Sequence, residues 1–377
     1  MKDTPFQICT RCIMDTTDPN IVFDEYGICN HCHHYDNLVL NHVLKGPEAN
    51  KELQKVVERI KKDGKGKPYD CIIGLSGGVD SSYVAWLVKK LELRPLAVHL
   101  DNGWNTQLAV KNVEQIVSKL GLDLYTIVID WDEFRDLQLA YLKASVIDLE
   151  VTSDHAIIAT LYKLAQKYKI GYIINGTNIA TESILPYAWY YKWKTDSINL
   201  LDIYKKYGSG RKLKTYPKIN LLKTIYYTLF LDIKWISILN YVDYQKKNAI
   251  ELITKELDWK NYGGKHHESL ITKFYQSYIL PTKTGFDKRR AHLANLICSG
   301  QITREEALIE LAIPVYATQA QLEDETEYVI KKLNITIDEF NTILHTPPRN
   351  HMEFRTNLLY MKWLNRLVFV LNKFNLR

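Results

Sequence analysis

The feature that most constrains the fold is a glycine- and serine-rich loop between a predicted strand and a predicted helix. The apolar run Cys71–Leu75 predicts a buried strand, and Ser81–Leu91 has the apolar spacing of a helix. The loop with its flanks has the sequence Ser76-Gly77-Gly78-Val79-Asp80-Ser81-Ser82. Paired glycines let a backbone approach a ligand closely, and a helix N-terminus offers unpaired N–H groups to an anion. A plain glycine-rich turn would not explain the full seven-residue string between a strand and a helix. We therefore predict a phosphate-binding loop.

The loop also carries side chains suited to phosphate chemistry. The hydroxyls of Ser76, Ser81 and Ser82 can add donors, and Asp80 is placed to meet Mg²⁺ bound to phosphate. Because no Gly-Lys-Ser/Thr follows the glycines, the loop is not a Walker A loop.

The surrounding sequence alternates short apolar runs with amphipathic helices. This alternation predicts an α/β fold with a parallel, doubly wound sheet and helices on both faces. Further strands are predicted at Pro95–Leu100, Leu124–Ile129 and Gly171–Asn175, and helices at Glu48–Lys62, Thr106–Leu120 and Asp154–Tyr168. Polar residues follow two of these strands, at the edge where open α/β sheets bind ligands. They are His99, Asp101 and Asn102 after the second strand, and Gly176, Thr177, Asn178 and Glu182 after the fourth.

Two cysteine pairs near the N-terminus predict a metal site. Cys9 and Cys12 form one C-x2-C pair, and Cys29 and Cys32 form another after sixteen intervening residues. Four thiolates at this spacing suit tetrahedral Zn²⁺, while an iron–sulfur cluster or disulfides are the alternatives. Because a closed four-thiolate site has no open position, we predict a structural Zn²⁺ that folds a zinc-knuckle module.

The region beyond Thr181 is rich in aromatic residues and predicts helices. The pairs Thr303/Glu306 and Thr336/Glu339 have the spacing of capping boxes. The stretch His351–Phe374 predicts one long helix that packs on the sheet domain or forms a dimer face. Charged residues interrupt the apolar stretch Ile219–Val242. They disfavour a transmembrane segment and favour a buried or partner-facing helix over an interfacial one.

Length and charge fit a multi-part enzyme. The chain has 377 residues and a net charge of +6, which suits anionic substrates without requiring nucleic acid. We predict a zinc module at 1–45, an ATP-binding domain at 46–190 and a helical substrate or partner region at 191–377. The N-terminal residues show no apolar signal segment, so a cytoplasmic location is expected.

Two clusters of basic and histidine residues are candidates for chemistry. Lys and Arg can neutralise phosphate or carboxylate groups, and His or Glu can act as acid or base. A solvated helix face is the alternative for the second cluster. The catalytic candidates, besides Asp80, are Lys265, His266, His267 and Glu268, and the substrate-binding candidates are Glu182, Lys283, Lys288, Arg289, Arg290 and His292.

The phosphate loop resembles the signature of the PP-loop ATP pyrophosphatases, the adenine nucleotide α-hydrolase-like enzymes. Together with the cysteine pairs, the strand-end residues and the two basic clusters, it resembles the N-acetyl sugar amidotransferases of the WbpG and PseA types. What this resemblance implies is an ATP site built from Ser76, Gly77, Gly78, Val79, Asp80, Ser81, Ser82, His99, Asp101, Asn102, Gly176, Thr177 and Asn178.

The resemblance implies conversion of an acetamido group into an acetamidino group on a nucleotide-linked or acidic N-acetyl sugar. ATP adenylates the amide oxygen, and ammonia then displaces AMP. The products serve lipopolysaccharide O-antigen, surface-polysaccharide or nonulosonic-acid biosynthesis. Because the chain begins Met1-Lys2 and has no Gly-x-Cys-x-Gly elbow, ammonia is expected from a HisH-like glutaminase subunit, in some members with a HisF-like subunit.

The competing hypothesis is a tRNA-modifying PP-loop enzyme of the thiolase or lysidine synthetase type. A basic chain with zinc knuckles would suit RNA. Sulfur transfer normally needs a reactive loop cysteine or a cluster, however, and the two remaining cysteines, Cys71 and Cys298, lie in a predicted strand and a predicted helix. We therefore expect no nucleic-acid partner. The sequence leaves open whether the chain forms a homo-oligomer.

Overall fold

A five-stranded parallel sheet forms the centre of the protein. The computed structural model describes residues 5–264 and 267–373, with side chains through Val370. The strands are β1 (Cys71–Gly74), β2 (Pro95–Asp101), β3 (Asp123–Val128), β4 (Tyr172–Asn175) and β5 (Lys234–Ser237), and their spatial order is β3-β2-β1-β4-β5. The first four occur where the sequence predicted them, and all neighbouring pairs are parallel.

The fifth strand corrects the prediction for Ile219–Val242. Within this stretch Leu221–Phe230 is helical and Ile238–Tyr241 forms a 3₁₀ turn, but Lys234–Ser237 between them is a strand that pairs with β4. The physical reason is tertiary: Ile236 is buried against one face of the sheet, and β4 would otherwise leave its edge unpaired. The chain beyond residue 190 thus contributes to the sheet, while the three-part division of the chain stays a prediction.

The helices fill most of the remaining chain. They are α1 (Asn30–His42), α2 (Gly46–Asp63), α3 (Val79–Lys90), α4 (Gln107–Leu120), α5 (Trp131–Ala144), α6 (Val151–Tyr168), α7 (Ile179–Glu182), α8 (Ser197–Tyr207), α9 (Leu221–Ile225), α10 (Lys246–Leu257), α11 (Leu270–Phe274), α12 (Leu280–Thr284), α13 (Lys288–Cys298), α14 (Arg304–Ala312), α15 (Gln319–Leu333), α16 (Ile337–His345) and α17 (Leu358–Lys373). Short 3₁₀ segments occupy Tyr187–Trp189, Ile238–Tyr241 and His351–Glu353, and π-helical turns occupy Tyr226–Phe230 and Tyr275–Ile279.

Helices cover both faces of the sheet, as the alternation predicts. Ile73 of β1 faces a core formed with α2, α3, α4 and α10. The neighbouring Ile72 faces the opposite core, which α6 completes. Because adjacent strand residues point to opposite faces, this apolar strand must be buried on both sides.

The C-terminal region confirms both capping boxes and changes one helix. Thr303 and Thr336 each cap a helix reciprocally with the glutamate three residues later. The predicted helix His351–Phe374 is instead a 3₁₀ turn followed by α17, separated by residues 354–357. Across the described residues, every helix is too short or too polar to cross a bilayer.

The N-terminal module is fastened to the C-terminal helices by arginines. Arg290 of α13 forms an ion pair of 2.9 Å with the buried Asp15 and donates to the Ile13 carbonyl. Arg304 of α14 donates to the carbonyl oxygens of Cys12 and Cys9. The N-terminal module therefore contacts helices α13 and α14 directly.

Candidate active site

The phosphate loop presents an uncapped helix N-terminus. Helix α3 begins at Val79, and the residue before it, Gly78, supplies no side-chain cap. Gly77 has a φ of +83°, and a methyl group at this position would lie 2.7 Å from the Ala109 carbonyl oxygen. Only glycine fits both constraints. The first N–H groups of α3 are consequently arranged to receive an anion.

The three serine hydroxyls of the loop differ in their contacts. Ser76 lines the large cavity described below, and its Oγ accepts a hydrogen bond from the Gly78 N–H. The Oγ of Ser81 donates to the Gly78 carbonyl and lies 3.1 Å from the Ser76 Oγ. The buried Ser82 donates to the same carbonyl at 2.6 Å. Ser82 therefore braces the loop from within.

Asp80 lies between the loop and the end of β4. The hydroxyl of Tyr244 donates a hydrogen bond to its carboxylate. A methyl group on Gly176 would lie 3.0 Å from the Asp80 Cβ, so a glycine after β4 lets the strand end approach α3 closely. Burial and the Asp80 charge both raise the pKa of Tyr244, which keeps its proton available for this bond.

One cavity of about 860 Å³ opens at the carboxyl ends of the strands. Its walls come from the sheet, the helical C-terminal region and, through His31 and His34, the cysteine module. Nine of the predicted site residues line it, namely Ser76, His99, Asn102, Thr177, Asn178, Glu182, Glu268, Lys288 and His292. The structure thus brings residues from separate sequence regions to a single site.

The polar residues after β2 have defined orientations. His99 hydrogen-bonds to the Leu75 carbonyl through Nδ1 at 2.8 Å, while its Nε2 faces the Asn105 amide at 3.1 Å. This arrangement assigns the proton to Nδ1 and leaves Nε2 as an acceptor. Asn102 donates to the Ser153 hydroxyl, whereas Asp101 accepts from Gly103 and does not line the cavity.

Glu268 reaches the phosphate loop through an aromatic neighbour. A methyl group on Gly78 would lie 3.1 Å from the Tyr262 hydroxyl, and burial together with the Glu268 charge raises the pKa of this tyrosine. A methyl group on Gly78 would lie 3.7 Å from Glu268 Oε1. The Glu268 carbonyl accepts from the Thr106 N–H at 2.9 Å, which holds the segment beside α4. Glu268 therefore stands where the loop and the cavity meet.

Most of a charged wall of the cavity was missed by the sequence analysis, which named only Lys288 among its members. Lys194 forms ion pairs of 2.6 Å with Asp148 and 2.9 Å with Asp154, and Lys288 pairs with Glu150 at 2.6 Å. Burial alone would lower the pKa of Lys194, but the surrounding carboxylates outweigh it and raise the pKa.

Asp154 is the carboxylate of this wall that faces the open space. Its side chain keeps 40% exposure, yet the protein around it removes enough water to raise its pKa. The only sequence signal was a set of scattered charges near the start of α6, and such charges ordinarily mark a solvated helix face.

Three predicted substrate-binding residues have other contacts. Lys283 donates to the carbonyls of Ile343 and Thr346 and thereby caps the end of α16. Arg289 pairs with Asp287 and donates to a carbonyl, and Arg290 holds the cysteine module. We therefore assign these side chains to helix capping and module docking instead of the substrate.

The first basic cluster is described only in part. His267 packs beside Gly264 and does not line the cavity. The predicted catalytic residues Lys265 and His266 lie outside the described residues.

The four N-terminal cysteines form a compact thiol cluster. Cys9, Cys12, Cys29 and Cys32 are fully buried, and their Sγ atoms all lie within 4.8 Å of one another. Three of the separations are between 3.6 and 3.8 Å. A tetrahedron with Zn–S bonds of about 2.3 Å has edges of about 3.8 Å, so the cluster fits Zn²⁺.

Two known protein families match separate segments of this chain. The family described as LPS biosynthesis protein WbpG-like, C-terminal domain, matches residues 268–367. The NAD synthase family, a PP-loop family, matches residues 50–220. The two matches, which cover separate parts of the chain, together support a WbpG-type PP-loop protein. Its WbpG-like segment includes the cavity residues Glu268, Lys288 and His292, and its NAD synthase-like segment includes the phosphate loop. This WbpG-type protein is thus an ATP-using PP-loop enzyme in its general class.

Solved structures similar to this WbpG-type protein are distant. NMN synthetase from Francisella tularensis shares 19% identity with a TM-score of 0.29, over 60% of this chain and 92% of that chain. A predicted tRNA methyltransferase subunit from Methanocaldococcus jannaschii shares 18% with a TM-score of 0.28, over 49% and 75%. The NH3-dependent NAD synthetase of Campylobacter jejuni shares 17% with a TM-score of 0.29, over 56% and 93%. The comparison with curated proteins returned no match.

Proposed function

We propose that this WbpG-type protein is an ATP-dependent amidotransferase that converts the acetamido group of an N-acetyl sugar into an acetamidino group. The observation that carries the proposal is the shared cavity. Ser76, the first residue of the phosphate loop, and the WbpG-like residues Glu268, Lys288 and His292 line the same 860 Å³ cavity. An ATP site and a family-specific site that meet in this way suit direct transfer between the two substrates.

The phosphate loop supports the ATP half of the reaction. In the proposal, the N–H groups at the start of α3 bind the departing pyrophosphate, and Asp80 is the residue that would hold Mg²⁺. His99 and Asn102 face the space next to the loop and would contact the nucleoside. The sugar's amide oxygen would then attack the α phosphorus, giving an adenylated imidate and free pyrophosphate.

The charge of the cavity supports a product that gains positive charge. Four carboxylates line it, Glu150, Asp154, Glu182 and Glu268, whereas its lysines are Lys194 and Lys288. Both lysines already form ion pairs. An acetamidinium is a cation where the acetamido group was neutral, so an excess of carboxylates favours the product and the transition state leading to it.

Proton balance gives Glu268 a specific role in the proposal. The amide nitrogen and ammonia together carry one more hydrogen than the amidinium product, so one proton must leave as AMP is expelled. Glu268 lies next to the phosphate loop and beside Tyr262. We assign to it the removal of this proton, with Glu182 and His292 as substrate contacts.

The remaining components follow from the family resemblance. Ammonia would come from a HisH-like glutaminase, with a HisF-like subunit in some systems. The four cysteines would hold a structural Zn²⁺, which closes the module without taking part in the reaction. The sugar is proposed to be nucleotide-linked or acidic and to serve surface-polysaccharide or nonulosonic-acid synthesis.

The direct test follows the acetamido oxygen. Purified protein is incubated with Mg²⁺, ATP, ammonium and a UDP-linked N-acetyl sugar carrying ¹⁸O in its acetamido group. Mass spectrometry should find the label in AMP and a sugar product about three mass units lighter than the labelled substrate, which is about one unit lighter than the unlabelled sugar. Label retained by the sugar together with ADP as product would contradict the proposal, and turnover of tRNA alone would favour an RNA-modifying enzyme.

Paired variants test the role of Glu268. Glu268→Gln removes the base and should lower kcat by about 10²- to 10⁴-fold while ATP binding persists. Glu310→Gln changes an exposed glutamate in the same WbpG-like domain and serves as the control. Equal turnover by the two variants would remove Glu268 from the mechanism.

A further inference from the structure

The positive charge of the protein is concentrated in two segments. Residues 203–231 contain seven Lys or Arg and no Asp or Glu, and residues 354–377 contain five and none. Since the whole chain carries only +6, the remainder has a net charge of −6. Such segregation is a property of surfaces that meet an anionic partner.

The same segments expose large apolar side chains. In α17, Leu359, Tyr360, Trp363 and Phe369 are 60% to 79% exposed, and Val370 is 45% exposed. In and beside α9, Leu222 and Phe230 are 75% and 76% exposed. Aromatic and aliphatic side chains interleaved with Lys and Arg are the composition of helices that lie in a membrane interface.

Helices α9 and α17, one from each segment, form one surface. Helix α17 packs against α9, and Met361 and Leu364 are buried on its inner side. The exposed residues of α17 include Lys362 and Arg366, which sit between the apolar ones. We call this surface, formed by residues 221–230 and 358–370, the basic aromatic face.

We propose that the basic aromatic face binds the surface of an anionic lipid bilayer. A second copy of the chain is a poorer occupant, because a symmetric contact would bring the same cations together with no acidic residue of either segment to pair them. Within the segments, the described ion pairs use Lys206 with Asp202 and Arg211 with Asp132, which leaves Lys223, Lys362 and Arg366 among the exposed apolar side chains.

The mode of binding is peripheral. The apolar side chains would enter the headgroup region, while the Lys and Arg side chains meet lipid phosphates, so binding should need both and weaken with salt. This inference is independent of the reaction catalysed at the cavity.

Vesicle sedimentation tests the proposal with the full chain. Vesicles of phosphatidylcholine with 30% phosphatidylglycerol should retain the protein at 0.15 M salt, and pure phosphatidylcholine vesicles should not. Lys362→Gln/Arg366→Gln should lower the partition coefficient roughly 30-fold, at about 1 kcal/mol for each cation. Trp363→Ser/Phe230→Ser should also release the protein, because the inserted apolar area is lost.

A matched control separates this face from general surface charge. Lys51→Gln/Lys55→Gln changes two exposed lysines, also four residues apart, on α2. It should sediment like the wild type, and circular dichroism should match for all variants. The proposal is overturned if the anionic vesicles do not retain the wild type, if the two lysine/arginine pairs have equal effects, or if light scattering shows that the face buries itself in a dimer.

Discussion

The indole Nε1 of Trp259 donates a hydrogen bond of 2.8 Å to the carbonyl oxygen of Gly77, 182 residues earlier in the chain. Trp259 is fully buried, and the next residue, Lys260, is fixed in turn by two backbone contacts with the Asn112 side chain. The helical region therefore sets the conformation of the phosphate loop. A loop with a left-handed glycine needs such support to remain pre-organised for phosphate.

Replacing Trp259 by Phe should weaken ATP use more than it weakens the fold. The substitution keeps an aromatic ring but leaves the buried Gly77 carbonyl without its donor, which costs about 1–3 kcal/mol. We expect kcat/KM for ATP to fall roughly ten-fold or more. Pyrophosphate release at varied ATP concentration measures this.

Trp86→Phe is the control for that substitution. Trp86 also donates through Nε1, but to the exposed Glu256. Its loss should leave kcat/KM for ATP close to the wild-type value. Equal effects of the two substitutions would show that the Gly77 contact has no special role.

Local patterns in the sequence were enough to predict the nucleotide half of the fold. The strand Cys71–Gly74 is apolar on both faces, and the capping boxes at Thr303 and Thr336 are local signals. The fifth strand was not predictable in this way. Its residues become a strand only because β4 offers an unpaired edge, which is information from the tertiary structure.

The same limit explains the site residues. Lys283 and Arg290 look like phosphate ligands in a sequence, but each finds carbonyl or carboxylate partners from distant segments. Lys194 is used in the cavity although nothing near it in sequence indicates a site, because its partners Asp148 and Asp154 are brought together only by folding. Residue type alone cannot assign long charged side chains.

One Zn²⁺ per chain is expected by elemental analysis of the purified protein. Cys29→Ser should lose the metal and unfold the module, because four thiolates are needed to close the site. His31 and His34 of this module line the cavity, so the variant should also raise KM for the sugar. Zinc content and limited proteolysis are measured beside activity. Iron with sulfide, or a zinc-free native protein, would contradict the prediction.

Lys283→Met should lower stability and leave catalysis almost unchanged. The Nζ of Lys283 is bonded to the carbonyls at the end of α16, and methionine keeps the packing but removes these donors. We expect the free energy of unfolding to fall by about 1–3 kcal/mol. Denaturant titration and the sugar KM are measured together, and a large rise in KM at native stability would restore Lys283 to the substrate site.

The last prediction concerns pH and His155, a buried residue of α6. Its Nδ1 faces the Lys194 carbonyl at 2.8 Å, and its Nε2 accepts from the Ile219 N–H at 3.1 Å. Only the neutral ring satisfies both contacts. The ordinary pKa of histidine is about 6.5. Burial lowers the pKa of His155 to about 4, and the positive charge of Lys218 makes a smaller contribution in the same direction.

The folded protein therefore binds fewer protons than the unfolded chain between pH 6.5 and 4, and the stability due to His155 is complete above this window. It should decline as the pH falls through the window, by up to about 3 kcal/mol. Urea unfolding at pH 7, 6 and 5 should show a flatter pH dependence for His155→Gln than for the wild type. His42→Gln, at an exposed position, should keep the wild-type slope. Parallel slopes for all three proteins would mean that His155 titrates alike in the folded and unfolded chains.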